Sequence, residues 1–202
     1  MELYTNYNQI LKDQFGARVQ KISINAGFTC PNRNGVKGWG GCTFCNNQTF
    51  FPEYCQPTKS VVQQMEEGIE FFSRYEGQLY LAYFQAYSST YASVEVLRER
   101  YEEALSVEDV VGIVVATRPD CITDEILCLF DEIRDRGFSV ALELGCESLY
   151  NRTLKRINRG HTVEQTYDAI NLCHKHDIPL GHSLTAGDCG RRSCRAVWLP
   201  LP

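Results

Sequence analysis

Apolar runs alternate with helical patterns along this chain, and that alternation limits the folds open to it. "KISINAG" (21–27), "QLYLAYFQAY" (78–87), "VVGIVVATRP" (110–119) and "SVALELGCES" (139–148) are short, rich in β-branched or aromatic residues, and mostly apolar. Such runs read as buried strands of a parallel sheet. Between them, 59–75, 93–105, 123–137 and 162–177 carry apolar residues at i, i+3 and i+4, with Thr or Ser openings and acidic first turns. That pattern predicts helices, with Gly137 as a C-cap. "IPLGHSLTAG" (178–187) reads as a fifth strand and its turn. Repeated strand-helix units give an α/β fold, either an open doubly wound sheet or a partial or full barrel. In both, ligands gather at the carboxyl ends of the strands.

At 202 residues, 44% hydrophobic and 22% charged, the chain can bury a core of its own, and one domain is the default. A net charge of −5 argues against whole-surface attraction to nucleic acid or to an anionic membrane, so any polyanion site has to be local. The opening "MELYTNYNQILKDQFGARVQ" has no basic start followed by an apolar run, and no run elsewhere approaches membrane-spanning length. The expectation is a cytoplasmic protein with no membrane partner, whose ten cysteines stay reduced. Clustered cysteines in that compartment suggest a metal.

The cluster is "CPNRNGVKGWGGCTFC" (30–45), directly after the first strand. Eleven residues separate Cys30 from Cys42 and two separate Cys42 from Cys45. The close pair can chelate one centre while the long arm returns a third thiolate. Structural zinc normally closes four ligands in paired knuckles. Here no second close pair exists, although Cys55 could serve as a fourth ligand. A redox pair is disfavoured because Cys42 and Cys45 do not open a helix after a strand. Unrelated buried cysteines would sit on apolar faces rather than on a glycine-rich loop. Three thiolates suit a cubane iron-sulfur cluster with one iron left open to substrate or cofactor.

The spacing, Phe44 between the paired cysteines, and the position after the first strand resemble the radical S-adenosylmethionine (radical SAM) enzymes. The resemblance is to the YhcC/YtqA-like subgroup, related to the elongator catalytic subunit and the MiaB-like methylthiotransferases. "GGCTFCNN", "YFQAYSSTYA", "VATRPDCI", "ELGCES" and "INRGHTVEQT" follow in family order from Ile22 to about Leu184. The resemblance implies an incomplete parallel (βα) barrel of the radical SAM type, with about five βα units. It also implies a 4Fe-4S cluster held by Cys30, Cys42 and Cys45, with S-adenosyl-L-methionine on the open iron, reductively cleaved to a 5'-deoxyadenosyl radical. An electron donor such as flavodoxin or ferredoxin follows, and tRNA wobble-uridine modification is the substrate class the related families suggest. The reading from another class is a non-catalytic iron-sulfur or zinc-binding interaction module.

Phe44, Gln85, Ser88, Arg118 and Glu143 are the expected SAM contacts. The family's usual acidic turn after strand two is replaced by "QAYSS", where Gln85 and Ser88 offer hydrogen bonds instead. Glu143 lies in a buried strand and needs a partner, either a helix cation or the SAM ribose. Arg118 is an anion contact or a loop brace. In "NRTLKRINRGH", Arg152, Lys155, Arg156 and Arg159 recur at i, i+3, i+4 and i+7, so a helix there would present a basic stripe able to grip tRNA phosphates. Tyr150 and His161 flank it.

The domain reading is a helical extension over 1–20, a partial radical SAM core over 21–187, and a tail over 188–202. The tail, "DCGRRSCRAVWLPLP" from Asp188, has no periodicity and matches nothing upstream. A frameshift near Gly187 or a shortened gene is the expectation, leaving the edge of "PLGHSLT" exposed and the chain prone to aggregate.

Overall fold

The computed structural model describes residues 7–46, 51–185 and 194–197. Helix α1 (Tyr7–Phe15) precedes strand β1 (Val19–Ile24). Four further units follow: α2 (Val61–Phe71) and β2 (Leu79–Phe84), α3 (Val94–Leu105) and β3 (Val110–Thr117), α4 (Asp124–Asp135) and β4 (Ser139–Glu147), then α5 (Asn151–Arg156), α6 (Val163–Lys175) and β5 (Leu180–Thr185). A short strand, β6 (Cys194–Val197), ends the described chain. The six strands form one sheet in the order 1-2-3-4-5-6, with β1 to β5 parallel and β6 antiparallel to β5.

Strand order decides between the two α/β architectures. A doubly wound sheet reverses its order at a switch point, whereas right-handed crossovers between strands laid down in sequence keep the crossover helices on one side. This sheet never reverses, so it is an arc of a (βα) barrel. Ile22, Ile24, Phe84, Ile113, Val115 and Leu142 pack in the main core with Met65, Leu97, Tyr101, Leu127 and Phe130 of the helices. The alternate face carries Val19, Leu81 and Val114, which pack with Leu11 of α1. The N-terminal helix thus closes one end of the arc's inner face.

The helices start where side chains satisfy free backbone amides. Ser60, Thr123 and Thr162 accept from the N–H three residues on, and Thr162 with Gln165 completes a capping box. Gly137, at φ 93°, donates its N–H to Arg134 at 2.8 Å and ends α4 as expected. The first turn of α2 has no acidic residue, contrary to the expected pattern.

Two expectations change. The basic stripe does not exist as a helix face: α5 ends at Arg156, Asn158 and Gly160 take positive φ of 52° and 74°, and Arg159 is buried. The edge of β5 is not bare either, because Cys194–Val197 pairs with His182–Thr185 and satisfies backbone groups that would otherwise stand open. The rest of the expected tail, 188–193 and 198–202, lies outside the described residues.

Two substitutions test this packing. A Cβ on Gly112 would lie 2.1 Å from the backbone oxygen of Ser139, where no side chain can yield. Gly112→Ala should therefore cost about 1–3 kcal/mol in urea unfolding. His176, at the end of α6, faces Asp131 and Asp124 of α4. Those hydrogen bonds raise its imidazole above the ordinary value. The pairing is fully present below the unfolded value of about 6.5 and is lost as pH climbs through the raised one. His176→Asn should lower the unfolding midpoint more at about pH 6 than at about pH 9, and equal losses would mean the contact is only steric.

Candidate functional site

The cysteine loop leaves β1 at its carboxyl end and folds back on itself. Arg33 N–H donates to Cys30 O at 2.9 Å, Lys37 to Pro31 at 2.8 Å and Gly41 to Asn32 at 2.9 Å, while Asn34 and Trp39 form a bridge. Gly35, Gly40 and Gly41 take φ of 88°, 78° and 83°, which a side chain would strain. This small hairpin returns Cys42 toward Cys30, and Cys45 N–H closes a turn on Cys42 O at 3.0 Å. Cys30 and Cys42 are buried and Cys45 is half-buried, none of the three in a disulfide.

The loop is clasped by the turn after α5. Thr43 N–H donates to Ile157 O at 3.0 Å, and Asn158 Nδ2 to Gly41 O at 2.9 Å. Asn32 Nδ2 reaches Asn158 O in return and lies 3.7 Å from Cys42 Sγ. Arg159 Nη2 donates to Gly145 O at 2.6 Å, and Nη1 points at Cys42 Sγ, 3.5 Å away. A side chain on Gly145 would displace Arg159 from this bond, since its Cβ would stand 2.6 Å from that Nη2.

Arg118 fastens the same turn to the end of β3. It is 1% exposed. Its Nε and Nη2 bind Asp120 at 2.8 and 2.9 Å, and Nη1 donates to Arg159 O at 2.7 Å and approaches Cys30 Sγ at 3.8 Å. Lys37 of the loop also pairs with Asp120. Burial alone would raise the Asp120 carboxyl, but the hydrogen bonds and charge of Arg118, with Lys37, hold it below the usual carboxylate range. Arg118 thus forms the loop brace that was one of its two expected roles, with its guanidinium engaged on Asp120 and Arg159 O.

The other expected SAM contacts separate in the same way. The Ser88 hydroxyl is fully buried and shared with Thr117 at 2.9 Å, inside a hydroxyl chain that continues to Thr90. Gln85 follows Tyr83 on the alternating face away from the helices and is half-buried. Glu143 binds Lys21 Nζ at 2.8 Å and accepts from Tyr83 Oη at 2.6 Å. Its ion-pair partner comes from β1, not from a helix. Phe44 stays on the surface beside Cys45.

Cys55, Cys146 and Cys173 are buried, and desolvation pushes their thiols to about 12. Cys121 rises to about 11 for the same reason. Cys55 belongs to the main core. Cys128, on α4, is exposed.

Among the described residues, buried side-chain polar atoms without a hydrogen-bond partner gather at the loop and its clasp, at Asn32 Oδ1, Arg33 Nε and Arg159 Nε. Orphaned donors and acceptors are costly unless another group answers them. His161, driven down to about 4 by burial and the Arg159 charge, is neutral at physiological pH. No three His, Cys, Asp or Glu side chains among the described residues converge as ligands of one ion would. Three thiols, at Cys30, Cys42 and Cys45, are a donor set of the kind an iron-sulfur cluster takes.

The Radical SAM superfamily profile matches residues 25–188. This chain belongs to the radical SAM superfamily. Over 177 residues, 88% of the chain, it is 46% identical to protein YhcC of Escherichia coli K12, covering 56% of that protein. Over 176 residues, 87% of the chain, it is 37% identical to YtqA of Bacillus subtilis, covering 54%. The chain thus spans little more than half the length of these relatives. Among solved structures, the cobalamin-dependent S-adenosylmethionine radical enzyme OxsB, with aqua-cobalamin and S-adenosylmethionine bound, aligns over 88% of this chain and 25% of its own. The TM-score is 0.52 at 19% identity, a likeness of fold.

For this radical SAM chain, sequence reading found the thiols and missed what holds them: Asn32, Arg33, Lys37, Asp120 and Asn158. One signal was available. Asn158 and Gly160 are residues that favour left-handed turns, so Arg159 between them was a poor continuation of a helical stripe.

Removing Arg118 leaves the Asp120 carboxylate buried with Lys37 as its remaining ion-pair partner. Arg118→Met should cost about 3–5 kcal/mol in urea unfolding near neutral pH. Because the Asp120 value is lowered, the pair stabilises above the ordinary carboxyl range and is lost as pH falls through the lowered value, so the gap should close in acid. A gap independent of pH would assign the loss to packing alone.

Proposed function

We propose that the chain binds a 4Fe-4S cluster through Cys30, Cys42 and Cys45, with S-adenosylmethionine on the iron they leave open. Such a cluster, once reduced by a flavodoxin- or ferredoxin-type donor, supplies reductive cleavage of S-adenosylmethionine to a 5'-deoxyadenosyl radical. The observation that carries this reading is the concentration of unanswered buried polar atoms around three cysteines on a clasped loop at the strand ends. Asn32 Oδ1 can accept, while Arg33 Nε and Arg159 Nε can donate, a set complementary to an amino group and a carboxylate.

The roles of the remaining residues follow from their settings. Gln85, half-buried just after β2, is the side chain of the "QAYSS" turn assigned to the methionine portion. Lys21 and Tyr83 fix the position of the Glu143 carboxylate, where it can receive a sugar hydroxyl or a substrate donor. Phe44 shields the Cys45 side of the site. Arg152, Lys155 and Arg156 on α5 are exposed, with Tyr150 at its start, beside the loop through the Thr43–Ile157 bond. Cations with a neighbouring aromatic suit a single-stranded RNA segment, and tRNA modified at the wobble uridine is the proposed substrate. Arg159, turned inward, has no part in that contact. Among the described residues no helix is long and apolar enough to cross a membrane, and with free thiols a cytoplasmic location is proposed.

Anaerobic reconstitution with iron and sulfide, then assay of 5'-deoxyadenosine with a strong reductant, tests the reading. Wild type should load cluster and release 5'-deoxyadenosine. Cys30→Ala, Cys42→Ala and Cys45→Ala should each lose the cluster, and Cys55→Ala should keep it. Iron loss in the Cys55 variant equal to that of the others would make it a fourth ligand and close the open iron. Tight zinc without cleavage would favour an interaction module.

A further inference from the structure

Each of the three loop thiols faces a different guanidinium. Arg33 Nη2 lies 3.3 Å from Cys45 Sγ, Arg159 Nη1 3.5 Å from Cys42 Sγ, and Arg118 Nη1 3.8 Å from Cys30 Sγ. These are ordinary separations for N–H donors to sulfur. The arginines come from three parts of the chain: the loop itself, the turn after β3 and the turn after α5. Such matching is not produced by one local motif.

We propose that this arginine triad donates to the cluster thiolates and sets the cluster's reduction potential; the inference rests on the cluster assignment made above. Hydrogen bonds and positive charge at a thiolate favour the oxidation state that carries more negative charge. Adding an electron to a cluster held by three thiolates, two of them buried, raises the local negative charge, and the guanidinium N–H groups stabilise that state. The potential is therefore higher with the triad than without it.

The three members do not contribute equally. Arg118 shares a bidentate pair with Asp120, which largely cancels its charge. Arg159 stands 3.9 Å from Glu147 and also holds Gly145 O, so it acts on both the thiolate and the clasp. Arg33 reaches Cys45 through its sulfur and its carbonyl oxygen and lies over the Tyr87 ring, 5.2 Å from the centroid. It is the member whose substitution least disturbs the clasp.

The test is an electron paramagnetic resonance redox titration of the reconstituted 202-residue chain without S-adenosylmethionine, comparing wild type, Arg33→Gln and Arg33→Lys, with iron and sulfide determined for each. Arg33→Gln should load and shift the one-electron reduction equilibrium about tenfold toward the oxidised form, ~59 mV in midpoint. Arg33→Lys, which keeps the charge but not the planar fork, should shift it less. If Gln abolishes loading, the Lys variant decides: a lowered midpoint supports the triad, and a wild-type midpoint overturns it. Full loading of both with unchanged midpoints, or loss of iron in both, also overturns it and leaves Arg33 a structural residue. Wild-type protein that takes up no iron and sulfide would sink the cluster assignment itself, a separate result.

Discussion

The clasp between the cysteine loop and the Asn158–Gly160 turn is the constraint on which the site depends. A glycine-rich loop has little local preference for one shape, and ordering it costs about 1–2 kcal/mol per residue in backbone entropy. Its own hairpin bonds offset part of that. The rest is supplied from outside, by Thr43 to Ile157, Asn158 to Gly41, Asn32 to Asn158 and Arg159 to Gly145. The clasp is in turn pinned by Arg118, which ties Arg159 O to the buried Asp120. Three thiols are thereby held on one side of the sheet.

The fold explains why these segments meet. Parallel strands laid down in order place each strand's exit at the same end of the arc, so the loop after β1, the turns after β2 and β3 and the segment after β4 are neighbours in space though far apart in sequence. Backbone strain collects there as well: Tyr87, Glu147 and Asn158 adopt φ of 60°, 65° and 52°. Non-glycine residues hold such angles only where their surroundings over-determine them, as buried hydrogen-bond networks do.

The legibility of the site followed the range of the interaction. Strand and helix runs carry their signal within a few residues, so predicted segments such as 110–119 and 123–137 reappear as Val110–Thr117 and Asp124–Asp135, shortened at the ends where caps and turns take over. The three cysteines were legible because their spacing is itself the message. Arg159 was misread because periodicity counts positions without knowing where a helix stops, and the Asn-Arg-Gly turn stopped it. Glu143 was expected to need a partner, either a helix cation or the SAM ribose, but Lys21 lies 122 residues away in β1 and meets it only once the sheet has formed. The antiparallel β6 was not foreseen, since four residues of strand carry no periodic pattern, and their pairing depends on the open edge of β5.

The central claim is that the protein, not the metal, shapes the cysteine loop. Amide hydrogen exchange on the metal-free chain tests it most directly, at Gly41 and Thr43, whose N–H groups bond to Asn32 and across the clasp to Ile157. The account predicts protection at both amides before any iron is added, lost at Thr43 in Asn158→Ala as the clasp opens. Exchange at the rate of an unstructured peptide in the metal-free chain, with protection gained only on loading the cluster, would contradict it.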